Sequence, residues 1–124
     1  MRSDVLGCLT AMERTPEGYA ATFTFGAELD VFSGHFPGYP LVPGVFLIEA
    51  VRCAAERATE GPLLIRRVED AKFTAEVGPG DAVAVSAGLT DAGPGWKCDA
   101  RLASDRGAVA RIRLLLEKER SGRD

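Results

Sequence analysis

Hydrophobic and polar residues alternate in several short stretches of the chain, and one longer stretch lacks this alternation. Alternation with a period of two predicts half-buried β-strands. Turn-forming Gly, Pro and Asp residues separate most of the alternating stretches, which predicts antiparallel hairpins. The predicted strands cover residues 5–13, 19–25, 63–77, 82–89, 96–104 and 108–117. Charged residues inside the long third strand predict a bend or a bulge there.

The longer stretch, residues 45–58, predicts a helix that is buried on most sides, because it lacks Pro and Gly and its apolar residues run nearly all the way round. Pro43 suits the first turn of this helix, and residues 60–62 end it. An apolar helix needs a cover, which a single curved antiparallel sheet of six strands provides. The predicted fold class is therefore α+β. Such a sheet leaves an edge strand exposed, which favours pairing across a dimer.

Length and composition narrow the possibilities further. The 124 residues, 46% of them hydrophobic, fit one domain over residues 1–117 with a polar tail at 118–124. A net charge of -3 gives no basic face for nucleic acid. Because no apolar run reaches membrane-helix length and the N-terminus is unlike a signal peptide, we expect a cytoplasmic protein without membrane association. Three cysteines without a CxxC spacing and a single histidine argue against a metal site or a redox dithiol.

The single histidine, His35, lies in a loop that is unusually rich in Gly and Pro. A lone histidine is more often structural or on the surface than catalytic, but so many restrained backbone positions predict a loop held in one shape. Imidazole is the usual base near neutral pH, and a base needs rigid placement to reach its proton. We therefore treat His35 as a candidate general base.

Glu49 is a carboxylate inside the otherwise apolar helix. Burial without a partner raises the pKa of a carboxyl group, so that it stays protonated and can act as a general acid. The alternative is an ion pair with Arg52 on the next turn, at i,i+3 spacing. Gly44 adds a third element, because a backbone N–H at a helix N-terminus can stabilise an enolate oxygen. Together these groups describe proton removal α to a carbonyl, coupled to loss of a β-hydroxyl.

Residues 34–50 read GHFPGYPLVPGVFLIEA. This stretch resembles the motif GHFPxxPxxPGVxxxEA of the β-hydroxyacyl-acyl carrier protein dehydratases of the hotdog fold (the FabZ type), and residues 71–81 resemble a second family segment more weakly. The resemblance implies a hotdog fold, in which a sheet wraps round a long helix and protomers pair. It also implies two active sites at the dimer interface, each taking the histidine from one chain and the acid from the other.

The resemblance carries over specific roles. His35 would be the base, Glu49 the acid or the group that handles water, and the Gly44 N–H the donor to the thioester carbonyl. The apolar substrate tunnel would be lined by Phe32, Phe46 and Phe73. The reaction implied is dehydration of a 3-hydroxyacyl chain, carried on the phosphopantetheine of an acyl carrier protein, to a trans-2-enoyl thioester in fatty acid or polyketide biosynthesis. No metal and no cofactor are implied. The partners implied are the carrier protein and a second protomer, in a homodimer, a higher oligomer of dimers or a heterodimer.

The sequence departs from the family pattern in two places. The glutamine expected four residues after the acid is Cys53, and basic residues expected after Phe73 are Thr74 and Ala75. These departures indicate a divergent member and leave two alternatives. One is a hotdog acyl thioesterase, which also uses a helix carboxylate but has no need of the GHFP loop. The other is a non-catalytic, acyl-carrier-binding hotdog subunit of a heterodimer.

Overall fold

The computed structural model describes residues 2–26 and 41–119. Within these residues the chain forms two helices and one sheet of six strands. In chain order the elements are α1 (Arg2–Leu6), β1 (Leu9–Arg14), β2 (Gly18–Thr24), α2 (Gly44–Thr59), β3 (Leu63–Phe73), β4 (Ala82–Asp91), β5 (Gly95–Ser104) and β6 (Gly107–Lys118). The six predicted strands and the central helix are confirmed, with shifts of a few residues at their ends.

The sheet has the strand order β1-β2-β4-β5-β6-β3 and is antiparallel throughout. Short turns connect β1 to β2, β4 to β5 and β5 to β6, as the turn residues predict. Strand β3 follows the helix and returns to the far edge, beside β6. The inward side chains of the central strands, such as Val85, Ala100 and Ile112, form the core together with α2.

Helix α2 has buried residues on most of its circumference, as its sequence predicts. Pro43 is the N-cap in extended conformation, one residue before the first turn in which we expected it. The helix ends at a left-handed Glu60 (φ 61°), whose N–H donates to the carbonyl of Glu56. Among the residues described, neither helix is long and apolar enough to cross a membrane.

The prediction of a first strand over residues 5–13 is wrong at its beginning. Residues 2–6 form a short helix, and β1 begins only at Leu9. The N–H of Cys8 donates to the carbonyl of Val5 at 2.9 Å, and its thiol donates to the carbonyl of Asp4 at 3.2 Å. This turn lets Val5 enter the core, where it is fully buried. The same apolar residues satisfy a strand pattern, so burial against α2 decides the conformation.

The bulge expected in the third strand is confirmed, and the strand ends earlier than predicted. Pairing between β3 and β6 shifts register between Ile65 and Arg67 and again between Val68 and Asp70. After Phe73, the N–H groups of residues 74 and 75 both donate to the carbonyl of Val109, which ends the regular ladder. Val77 then accepts a hydrogen bond from the N–H of Val42 at 2.8 Å, so this segment packs beside the start of α2.

The predicted loop between the first hairpin and the helix falls largely on residues 27–40, outside the described part of the chain. His35 and Phe32 therefore lie outside the described residues. The other predicted site residues, Gly44, Phe46, Glu49 and Phe73, are all described.

Candidate active site

A cavity of about 360 Å³ opens where α2 begins. This volume is within the range of small-molecule pockets. Most of the lining is apolar or backbone, with one carboxylate. The lining residues are Leu41, Val42, Gly44, Leu47, Phe73, Ala75, Glu76 and Val77. The segment before the helix, the first helical turn and the end of β3 thus surround one space.

Gly44 and Phe73, predicted separately, meet in this cavity. A Cβ built on Gly44 would come within 2.9 Å of Cζ of the Phe73 ring, closer than carbon atoms normally approach. Glycine at this position therefore lets the ring lie against the helix backbone. As the first residue of α2, Gly44 has an N–H group without a partner in the helix ladder. The cavity wall thus contains the positive end of the helix dipole.

Of the two described residues of the predicted tunnel, Phe73 is among the lining residues of this cavity and Phe46 is not. Phe73 lines the cavity and is 45% exposed. Phe46 is half-buried and packs against the hydrophobic core, while the lining on the helix side is provided by Leu47. Leu47 follows Gly44 by three residues, which places the two on the same side of a helix. Helical spacing from Gly44 was the signal that could have identified it.

Glu49 is buried, with only 7% of its surface exposed, but it is paired. The Nε of Arg52 donates to Oε1 of Glu49 at 3.0 Å, and the Nη2 of Arg52 donates to Oε2. The expectation of an unpaired carboxyl in apolar surroundings is therefore wrong, and the alternative of an i,i+3 ion pair is confirmed. A bidentate guanidinium favours the ionised carboxylate.

Arg52 is itself only 3% exposed and has further partners. Its Nη1 forms an ion pair with Oε2 of Glu56 at 2.6 Å and donates to the carbonyl of Leu63 at 3.2 Å. Glu56 also accepts from the N–H of Leu63 at 2.8 Å, which ties the end of α2 to the start of β3. Burial opposes the charge of Arg52, but the hydrogen bond and charge of Glu49, with the charge of Glu56, hold its pKa above the ordinary value.

Cys53, at the position of the expected glutamine, also contacts the acid. Its Sγ lies 3.3 Å from Oε2 of Glu49. Burial, together with the hydrogen bond and charge of Glu49, raises the pKa of this thiol to about 12. The departure from the family pattern therefore replaces an amide donor with a weaker thiol donor. At the second departure, Thr74 donates its hydroxyl to the carbonyl of Val109 at 3.2 Å, a structural contact with β6.

Gly44 and Glu49 face different directions. A helix turns about 100° per residue, so five residues place Glu49 about 140° round the axis from Gly44 and about 7.5 Å further along it. The cavity beside Gly44 and the Glu49–Arg52 pair are therefore separate features of one protomer.

Comparison with known proteins identifies the family. Residues 11–108 match the family described as ApeI-like, ApeI dehydratase. The chain belongs to this dehydratase family. It is also 32% identical to the 3-hydroxyacyl-[acyl-carrier-protein] dehydratase FabZ of Wolbachia sp. subsp. Drosophila simulans (strain wRi), over 71% of this chain and 68% of that protein. FabZ of Jannaschia sp. (strain CCS1) is 36% identical over 60% of this chain and 53% of that protein. The chain is accordingly a dehydratase, a hydro-lyase, and these relatives favour neither the thioesterase nor the non-catalytic alternative.

Solved structures confirm the hotdog fold. A chain of the dehydratase heterocomplex ApeI:P from Xenorhabdus doucetiae superimposes with a TM-score of 0.77 and 22% identity, over 89% of this chain and 96% of that one. The PaaI protein from the phenylacetic acid degradation operon of E. coli gives a TM-score of 0.67 and 17% identity, over 94% of this chain and 87% of that one.

Proposed function

We propose that this dehydratase converts a 3-hydroxyacyl thioester, carried on the phosphopantetheine arm of an acyl carrier protein, into a trans-2-enoyl thioester. The observation that carries the proposal is the cavity at the start of α2, which Gly44 lines beside apolar side chains, so that its N–H is the proposed donor to a thioester carbonyl. Membership of a dehydratase family and similarity to FabZ proteins support the substrate class.

In the proposed reaction His35 removes a proton from C2 of the substrate. The electron pair of that C–H bond forms the C2–C3 double bond as the C3–O bond breaks, and negative charge that develops on the thioester oxygen is stabilised by the Gly44 N–H. The departing hydroxyl takes up one proton and leaves as water. That proton comes either from Glu49 or from the imidazolium of His35. No oxidation state of the protein changes, so the proposal needs neither a redox cofactor nor a metal ion.

Apolar lining suits the acyl part of the substrate. Phe73 and Leu47 offer hydrocarbon surface beside the Gly44 N–H, so a chain whose carbonyl reaches that N–H lies against them. We propose Phe32 and Phe46 as further tunnel residues on the strength of the sequence motif alone. Buried thiols at Cys53 and Cys98 fit a reducing compartment, and we place the reaction in the cytoplasm.

The active unit that we propose contains two protomers. Val68 pairs with Leu114 and Phe73 pairs with Ala110, so each lies on the helix side of the sheet. Leu114 and Ala110 are buried there, yet Val68 is 44% exposed, because β3 is the edge strand and α2 does not cover it. A second copy would cover this face. The second copy would also bring its own Glu49 to the cavity beside Gly44 of the first protomer, which the first protomer's Glu49 does not face.

The test is dehydration by the purified chain alone. A 3-hydroxyacyl group loaded on an acyl carrier protein is incubated with the protein, and intact-mass spectrometry distinguishes loss of one water from loss of the acyl group. We expect loss of water, abolished in His35→Ala and Glu49→Gln but retained in the control Arg57→Ala, an exposed position on the same helix. Full turnover in either variant would refute the assigned roles. Acyl release would indicate the thioesterase, and activity only with a related partner chain would indicate a heterodimer.

A further inference from the structure

The proposed reaction assigns no role to the buried guanidinium of Arg52, whose removal from water costs free energy. Arg52 is a fully charged group at 3% exposure, and every one of its described partners is an acceptor on α2 or at the start of β3. A buried ion pair contributes little net stability, because desolvation offsets the attraction between the charges. An apolar residue at this position would serve the core at least as well. The arrangement therefore calls for an explanation other than stability.

We propose that Arg52 is a positioning residue that holds Glu49 as a carboxylate, so that Glu49 accepts a hydrogen bond from the reacting hydroxyl group instead of donating a proton to it. This inference rests on the proposed function, and it decides between the two proton sources left open there.

The geometry supports this assignment. Two nitrogens of one planar guanidinium meet the two oxygens of Glu49, which fixes both the rotation of the carboxylate and its charge. Glu56 and the carbonyl of Leu63 anchor the other side of the guanidinium, so Arg52 is not free to turn away. A single carboxylate oxygen can accept more than one hydrogen bond, so a substrate hydroxyl group can share an oxygen of Glu49 with Arg52.

The consequence for the reaction is a single proton carrier. The proton that His35 takes from C2 is the one returned to the departing hydroxyl oxygen, which leaves as water. The imidazole is neutral again after each turnover, and Glu49 never changes its protonation state. Its part is to orient the hydroxyl group toward the imidazolium by accepting its hydrogen.

The thiols and the phenol around the pair stay neutral over the range of the test. Cys53 on α2 contacts Glu49 directly, and its thiol pKa is raised to about 12. Tyr19 from β2, whose pKa the nearby Cys98 and Cys53 also affect, and Cys98 from β5 are buried, and burial raises the pKa of both groups. Glu56 faces Arg52 from the next turn of α2. A change of protonation produced by substitution of Arg52 therefore belongs to Glu49 or to Glu56, and the infrared comparison with Glu49→Gln reports Glu49 alone.

The experiment compares the wild type with Arg52→Gln, Arg52→Lys, Glu49→Gln and the double variant Glu49→Gln/Arg52→Gln, each checked for folding by circular dichroism. The turnover number for dehydration is measured from about pH 5 to about pH 9. Without the guanidinium, Glu49 protonates more readily, so we expect Arg52→Gln to lose roughly tenfold or more of its turnover at low pH and to recover as the pH rises. Arg52→Lys should restore much of the wild-type profile. Glu49→Gln and the double variant should show no turnover at any pH, as the proposed function requires of Glu49.

A second measurement needs no substrate. The infrared difference spectrum between wild type and Glu49→Gln reports the carboxyl of Glu49, and we expect a carboxylate band without a protonated carbonyl band throughout the range. A protonated band near neutral pH in the wild type would overturn the inference, as would an Arg52→Gln profile that matches the wild type or rises toward low pH. If Arg52→Gln does not fold, the infrared spectra of wild type and Arg52→Lys decide. If the wild type lacks dehydratase activity, the proposed function fails, while the infrared result still reports on the pair.

Discussion

The ring of Phe73 lies against the backbone of Gly44, so close that a Cβ on Gly44 would come within 2.9 Å of the Cζ of the ring. The two residues come from different elements, the end of an edge strand and the first turn of the central helix. Their contact forms one wall of the cavity that we assign to the substrate. The first prediction follows from this contact.

We expect Gly44→Ala to lower kcat/KM for dehydration by roughly 10²-fold, the loss typical of an impaired oxyanion donor. The new methyl group displaces the Phe73 ring into the cavity and shields the N–H of residue 44. The ring is 45% exposed and has room to move, so unfolding should change little. Steady-state kinetics and thermal unfolding check the two statements. A variant with wild-type kcat/KM would remove Gly44 from the site.

The uncovered face of β3 gives a second prediction, on assembly. Val68→Asp places a charge on the exposed helix-side face, and we expect it to weaken self-association by roughly tenfold or more in sedimentation velocity. Leu64→Asp is the matched control. Leu64 is similarly exposed at 46%, but it pairs with Glu117 and so lies on the face of the sheet opposite to the helix. Equal dissociation of both variants, or of neither, would contradict the assignment of this face.

The third prediction concerns the link between α2 and β3. Glu56→Ala removes an acceptor from the N–H of Leu63 and a partner from Arg52, and we expect a loss of about 1–3 kcal/mol in the free energy of unfolding. Glu56→Gln, which keeps an acceptor but no charge, should lose less. Urea unfolding measures both, with Arg57→Ala on the neighbouring exposed position expected within about 0.5 kcal/mol of the wild type. Superimposable curves for Glu56→Ala and wild type would show that the link contributes nothing.

The fourth prediction concerns thiol chemistry. Burial, with the bond and charge of Glu49, raises the pKa of Cys53 to about 12, and burial, with the charge of Asp99, raises that of Cys98 to about 12. A raised pKa keeps the thiol protonated, so near pH 8 about one molecule in 10⁴ carries a thiolate at either site. We expect a thiol reagent to react slowly with the native protein and with all three cysteines after denaturation. A fast native phase that Cys53→Ala removes would contradict this environment.

The sequence predicted the elements well where one pattern had one solution. The alternation in β4, β5 and β6 and the apolar circumference of α2 each fit a single conformation, and the structure has them. The first residues did not adopt the predicted strand. Val5 and Cys8 are compatible with either a strand or a helical turn, and only packing against α2 decides between the two. The end of β3 also depended on tertiary contacts, because the hydrogen bond between Val42 and Val77 is not visible in local sequence.

Sequence reasoning reached part of the candidate site, since Gly44 and Phe73 were both predicted and meet in the cavity, but it left the state of Glu49 open. The motif pointed to Gly44 and Glu49, and the i,i+3 spacing pointed to Arg52 without deciding whether the pair forms. That decision required the side-chain geometry, in which the carbonyl of Leu63 and the carboxylate of Glu56 hold Arg52 against Glu49. Leu47 was not predicted, although its spacing of three residues from Gly44 places both residues on the cavity side of the helix.

The register shifts in the two outermost strands have a consequence for how molecules of this protein stack. The outer strand β1 shifts its pairing between Leu9 and Ala11, and β3 shifts twice along its length. Such irregularities bend and twist an edge strand, so the strand is a poor template for repeated edge-to-edge association of sheets. The chain can therefore keep an exposed apolar face on β3 for one partner protomer and still resist growth into fibrils.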